Sequence, residues 1–183
     1  MHHETNHYHR EHSVSIAHDW HVFEQALQRK DPNLLQGLNA PATDEQVRQL
    51  EKHLGTPLPT QLKECLRIHD GQDPEAPWLF AGCEFMSTRR IARTWSLWQQ
   101  LAANGDFRDL HAKPDHGVRA LWWSPHWIPL TFNGSGDHDC LDMSPAAGGK
   151  SGQIIRVWHD HGQRALVADS FAAWFADLPN HLT

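Results

Sequence analysis

The residues of this chain that could do chemistry begin in its first dozen positions, where His3-Glu4-Thr5-Asn6-His7 fits the zinc-protease pattern H-E-x-x-H. That chemistry needs both imidazoles on one face of a buried helix, a third ligand and a cleft. The match instead lies in MHHETNHYHREH, a stretch almost without aliphatic side chains in which histidine is abundant by composition. Such a stretch cannot bury a core face, and its neutral imidazoles would hold nickel, copper or zinc only loosely. Gly149-Lys150-Ser151 resembles the end of a phosphate-binding loop, but position 144, where the motif requires glycine, is serine.

Asp137, His138, Asp139 and Asp142 crowd one turn and strand start, a grouping that could bind a cation or pair carboxylates for acid–base work. Side chains alternate along a strand, however, so Asp139 points away from Cys140 and Asp142. Aspartates beside glycine turns also commonly bond local backbone amides, which makes structural roles the simpler account. His159-Asp160-His161 could ligate a metal, yet it precedes Gly162 between two strand-like runs and reads as a hairpin tip. Cys65, Cys83 and Cys140 lack C-x-x-C spacing and fall at helix-stripe, loop and strand positions, where cysteine acts as a small hydrophobe. No catalytic residue, metal ligand or cofactor site is assigned.

The elements that must position these residues follow from apolar periodicity. Residues 1–17 are expected to form a flexible histidine-rich arm and residues 18–183 a single domain. Trp20, Phe23 and Leu27 recur at helical spacing and end before Asp31-Pro32. A loop runs to Pro41, and Thr43 with Gln46 then makes a capping box for a helix striped by Val47, Leu50 and Leu54 and closed by Gly55. Leu62, Cys65, Leu66 and His69 predict a third helix stopping at Gly71, so that two short helices form a hairpin. Residues 78–81 and 84–86 read as short strands, and Ile91, Trp95, Trp98 and Ala102 stripe a helix ending near Gly105. Residues 106–124 give no clear pattern. Runs 127–132, 139–143, 153–159 and 165–168 predict an antiparallel meander, with Pro129 pointing to an edge strand, a strand start or a bulge. Phe171, Trp174, Phe175 and Leu178 describe a closing helix laid on the sheet.

Composition bounds what such a domain can bind. A net charge of −6 over 183 residues argues against direct nucleic-acid or anionic-membrane contact and favours a basic partner. The odd, unpatterned cysteines suit a reducing cytoplasm, and no apolar run approaches a membrane span of roughly 20 residues. Nine tryptophans exceed what a core comfortably buries with every indole N–H paired, so at least one of Trp78, Trp122 and Trp123 is expected to line a groove.

Several motifs in register resemble the SUKH superfamily, the SMI/KNR-type cell-wall assembly regulators and their bacterial toxin-immunity relatives. They are residues 41–46, Leu50-Glu51, residues 54–59 and His69-Asp70-Gly71 in the first half. Residues 127–130, Gly136-Asp137, residues 140–145, 152–154 and 168–171 follow in the second. Asp70 departs from the asparagine common before that glycine, and the histidine-rich arm has no counterpart in the family. The resemblance implies an α+β fold with a mixed, largely antiparallel sheet packed by helices, an N-terminal helical hairpin and a C-terminal helix. It also implies a non-enzyme without cofactor. The first expectation is a cytoplasmic immunity protein that neutralises a cognate bacterial toxin, such as a nuclease, by direct binding. The alternative is a regulatory or scaffolding module of the cell-wall-synthesis type, and a small metal-dependent hydrolase is a distant third. Asp137, His138 and Asp139 at one turn, Asp160 at the next and Trp78 are the candidate partner contacts.

Overall fold

The structure is a computed structural model that describes residues 15–80 and 82–182. The arm expected before His18 lies outside the described residues up to position 14. The first helix starts earlier than expected, because Ser15 caps it by accepting a hydrogen bond from the His18 amide, and Ile16 is already buried.

Five α-helices order the described chain: α1 (Ile16–Lys30), α2 (Asp44–Leu54), α3 (Thr60–Leu66), α4 (Thr88–Asn104) and α5 (Phe171–Asp177). The strands are β1 (Glu84–Phe85), β2 (Lys113–Pro114), β3 (Trp127–Pro129), β4 (Thr131–Phe132), β5 (His138–Asp142), β6 (Gln153–Val157) and β7 (Gln163–Ala168). The capping box of α2 forms as its sequence dictates, with the Gln46 amide donating to Thr43 Oγ1 and the Thr43 amide to Gln46 Oε1. Gly55 ends that helix in the left-handed region. The expected loop before Pro41 contains a 3-10 turn at Pro32–Gly37, started by the Asp31 carboxylate and by proline. The third helix stops at Leu66, five residues short of Gly71, because the chain there must turn back to meet residues 39 and 40.

The main sheet has the order β2-β7-β6-β5-β3, antiparallel except for the β2–β7 pair. Residues 106–124, unreadable by periodicity, supply β2, whose two residues are too short to show an alternation. The expected strand over 127–132 breaks at Leu130. β3 stays on the main sheet while β4 crosses to pair with β1 in a separate two-stranded sheet. Pro129 sits at the end of β3, and β3 is an edge strand, as a residue without an N–H requires. The expected strand over 78–81 is represented only by isolated bridges from Phe80, with residue 81 outside the described chain.

Cross-strand partners share a face, so the sheet separates two apolar cores. On one face Ile128, Leu141 and Ile154 lie in register and share a core with α1, α2, α3 and α5 through Trp20, Phe23, Leu50, Leu62, Phe171 and Phe175. On the other face Trp127, Cys140, Ile155 and Val157 pack against Trp98 of α4 and Trp123, whose rings stack at 4.9 Å. Most of the tryptophans thus form core, and Trp78 is the one that emerges, 37% exposed.

Candidate functional site

The 133–137 turn is built by short polar side chains. Asn133 Oδ1 accepts from the amides of Ser135 and Asp137, which fixes the turn into which Gly134 and Gly136 fit at positive φ. Asp137 then ties this turn to the β6–β7 tip. Its Oδ1 accepts from the His159 amide at 2.9 Å and from His159 Nδ1 at 2.8 Å, and its Oδ2 accepts from Asn133 Nδ2 at 2.7 Å. Burial raises the Asp137 pKa, but the bonds from His159 and Asn133 outweigh it and hold the group below its usual value. Asp137, His159 and the exposed Asp160 bring ligand atoms within 4.8 Å of one another, a spacing a cation could use. Both Asp137 oxygens are already occupied by N–H donors, which accounts for the cluster as a clamp between two turns. Trp78 lies on the same turn, since a Cβ added at Gly134 would stand 2.7 Å from its ring. Trp78, Asp137 and Asp160 therefore gather at one end of the sheet, on the surface.

The other two anticipated residues point inward. His138 and Asp139 retain only 4% and 5% of their exposure. On the α4 face, His138 donates from Nδ1 to the Thr131 carbonyl at 2.6 Å and stacks on Phe132. On the opposite face, Asp139 receives the Arg156 guanidinium in a bidentate pair at 2.7 and 3.0 Å and Trp174 Nε1 at 3.2 Å. This pair floors a cleft of about 670 Å³ between β7 and α5 that is also lined by Phe80, Cys83 and His181. Cys83 could be read as a nucleophile there, but burial and the neighbouring Asp139 push its thiol up to about 11, away from thiolate. Cys65 and Cys140 are also raised by burial. Removing the Asp139 carboxylate would leave the Trp174 N–H and a half-buried guanidinium unpaired. Asp139→Ala is therefore expected to cost about 2–3 kcal/mol, discounted from the usual buried-pair loss because Arg156 reaches water. A thermal melt should fall by about 5–10 °C for a chain of this size. A melt within a degree of wild type would show that the pair is not structural.

His69-Asp70-Gly71 proves to be a junction of elements. His69 bridges Glu24 of α1, at 2.7 Å, and the Asn39 carbonyl, at 2.8 Å. Asp70, where the resembling family commonly has asparagine, accepts from the Thr88 amide and hydroxyl at 2.7 and 2.9 Å and so holds the start of α4. Gly71 is pressed on the backbone of residues 86 and 87. Sequence reasoning gave Arg164 no role, yet this wholly buried residue donates to the carbonyls of Trp122, His161 and Gln163 and stacks 4.8 Å over the Trp122 ring. An arginine at an apolar-alternating strand position was the one available signal. Also missed was the outer face of α4, where Arg89, Arg93 and Leu97 are exposed.

Among the described residues no helix is long and apolar enough to cross a membrane. The profile of the SMI1/KNR4 family (SUKH-1) matches residues 41–177. The cell wall assembly regulator SMI1 of Saccharomyces cerevisiae is 22% identical, over 89% of this chain and 39% of its own length. The cell wall biosynthesis/cell cycle regulator smi1 of Schizosaccharomyces pombe is 29% identical, over 74% of this chain and 30% of its own. A glucan synthesis regulatory protein of Neurospora crassa is 25% identical, over 92% and 38% respectively. The chain thus spans well under half the length of these relatives.

Proposed function

Because the chain belongs to the SMI1/KNR4 family (SUKH-1), we propose that it is a non-catalytic protein-binding module of the regulatory type, acting through stoichiometric contact with a protein partner. The observation that carries this reading is the fate of the side chains that could have done chemistry. Asp70, Asp139 and Asp142 are buried and accept hydrogen bonds from Thr88, from Arg156 and Trp174, and from Gln153 and the Ser144 amide. Burial raises the pKa of Glu84 and Asp142, and His138 is held neutral inside the fold. Even Asp139, which floors the cleft between β7 and α5, is committed to Arg156 and Trp174, so these groups serve the scaffold and not a base, an acid and an oxyanion site converging on one substrate.

The relatives named above are regulators of cell wall assembly and glucan synthesis, which supports the regulatory reading over toxin neutralisation. Trp78, Asp137 and Asp160, gathered at one surface, form one edge at which the partner can be met. The test is affinity capture with the chain as bait, followed by titration calorimetry with each captured protein after purification. The expected result is saturable one-to-one binding, with the partner's own activity preserved or modulated in the complex. A partner toxin fully silenced at one equivalent would favour the immunity function instead. A chain that turns over a substrate, with loss of turnover on replacing Asp139 or His159, would overturn the binding reading.

A further inference from the structure

Helix α4 runs with one long face open. Its first half carries Arg89, Arg90 and Arg93 beside a groove of about 530 Å³ that reaches across to Asn39 and Pro41. Its second half carries Leu97 and Leu101 beside a groove of about 350 Å³ closed by Phe107 and Phe132. Arg90 lines both grooves, because it spans from Glu84, at 3.3 Å, to the Phe132 ring, 4.9 Å beneath its guanidinium. The two grooves thus meet at Arg90, and the open face of α4 changes along its length from cationic to apolar.

Two features of this face are unexplained by the fold. In a chain of net charge −6, Arg89 and Arg93 stand one helical turn apart, exposed, and among the described residues neither lies within 4.0 Å of a carboxylate. Leu97, one turn further along, is 56% exposed, the most of any large apolar residue described. Unpaired guanidinium groups seek carboxylates or phosphates. The first backbone amides of α4 are already taken, Thr88 by Asp70 and Arg90 by Ser87 Oγ, so the convergent amide cradle that a phosphate prefers is occupied. What remains is positive charge spread along a groove, followed by an apolar slot, which fits separate carboxylates followed by bulky side chains.

We propose that the α4 face is the docking surface for an acidic–hydrophobic segment of a protein partner, with aspartate or glutamate side chains on Arg89 and Arg93 and an aliphatic or aromatic side chain between Leu97 and Phe132. This rests on the binding reading above and specifies its surface. From Arg89 to Leu97 the helix rises about 12 Å, which an extended segment covers in about four residues. The partner motif is accordingly two carboxylates about two residues apart, with a large apolar side chain about two residues beyond the second. Opposite charge across the groove speeds encounter and makes binding salt-sensitive, and the apolar slot slows release.

The experiment is selection of a random dodecapeptide library on phage against the full chain, followed by fluorescence titration of the enriched peptides. Arg89→Glu/Arg93→Glu and Leu97→Asp variants, checked for unchanged melting, are titrated in parallel. Enriched peptides should combine acidic residues with a bulky apolar residue at that spacing. They should bind the charge-reversed variant at least about tenfold more weakly and wild type more weakly as salt rises. No enrichment, enrichment of peptides without acidic residues, or equal binding to the variants would overturn the assignment. A captured partner that binds wild type and α4 variants equally would overturn the α4 surface alone and leave the binding function standing. Binding of a single-stranded oligonucleotide more tightly than any peptide would assign the face to nucleic acid instead.

Discussion

Gly71→Ala is expected to lower stability by about 4 kcal/mol. At φ +61° an L side chain is strained, by roughly 1–2 kcal/mol. A Cβ there would stand 2.5 Å from the Met86 carbonyl carbon, 2.6 Å from its oxygen and 2.6 Å from the Ser87 nitrogen. All three are backbone atoms and cannot swing aside, so the overpacking falls at the upper end of its usual range of roughly 1–3 kcal/mol. The same backbone carries the Gln72 amide donating to Phe85, the Met86 amide donating to Leu130 and the N-cap of α4. Strain at residue 71 is thereby transmitted to β1 and to the helix that bears the proposed docking face. A thermal melt should drop by about 8–16 °C, and the charge-dependent binding at Arg89 and Arg93 should weaken with it. A melt unchanged within two degrees would mean that residues 86 and 87 can yield, and that the His69-Asp70-Gly71 junction is not a fixed point of the fold.

That junction shows what the sequence could and could not disclose. Most of the helices were legible because their signals are local: a capping box at Thr43 and Gln46 and apolar stripes closed by left-handed glycines at 55 and 105. The strands were partly legible, since apolar and alternating runs gave β5, β6 and β7, and Pro129 left an edge strand, a strand start or a bulge open, of which the structure shows the edge. Where two elements share one unbroken apolar run, as at Ile128-Pro129-Leu130-Thr131, nothing local says that the chain changes sheets. The break comes from tertiary bonds, with the Leu130 amide donating to the Asp139 carbonyl and the Asp139 amide to Thr131 Oγ1.

Of the candidate contacts, Asp137 and Asp160 were assigned to turns and Trp78 was singled out by the surplus of indole N–H groups, and the structure gathers these three at one end of the sheet. His138 and Asp139 were grouped with them by proximity in sequence. Strand alternation sends these two to opposite faces, and of their partners Trp98, Arg156 and Trp174 lie far along the chain. The exposed face of α4 was invisible for a related reason. A helix stripe identifies the buried side, while the emptiness of the opposite side depends on what the rest of the chain leaves uncovered.

Acidification should destabilise the protein through His138. Burial depresses its pKa from the usual 6.5 to about 4, with the bond to the Thr131 carbonyl and the nearby Asp137 and Asp139 opposing and Arg90 adding to the shift. Between those two values the unfolded chain binds a proton that the folded chain refuses, so stability is fully present above about pH 6.5 and is lost as pH falls towards 4. The gap corresponds to about 3 kcal/mol. Other groups titrate in the same region. The raised carboxylates Glu84, Asp142 and Asp19 act in the opposite sense, and Asp137 loses its contribution at still lower pH. The histidine contribution is isolated by His138→Asn, whose Nδ2 can replace Nδ1 as the donor to Thr131 while carrying no titratable group. Urea unfolding of both proteins from pH 7.5 to 4 should show wild type ahead at neutral pH through its ring contacts with Phe132 and Trp98, and the lead shrinking by about 3 kcal/mol at the acid end. A lead that stays constant with pH would mean that water reaches the imidazole, and that the turn joining Asp137 to His159 opens far more readily than its hydrogen bonds imply. Because His138 also lines the apolar end of the α4 groove, its protonation would bring a cation into the slot beside Leu97 and Phe132. Binding of a bulky apolar side chain there is then expected to hold down to about pH 5 and to weaken only as pH approaches 4, where the folded imidazole itself takes up the proton.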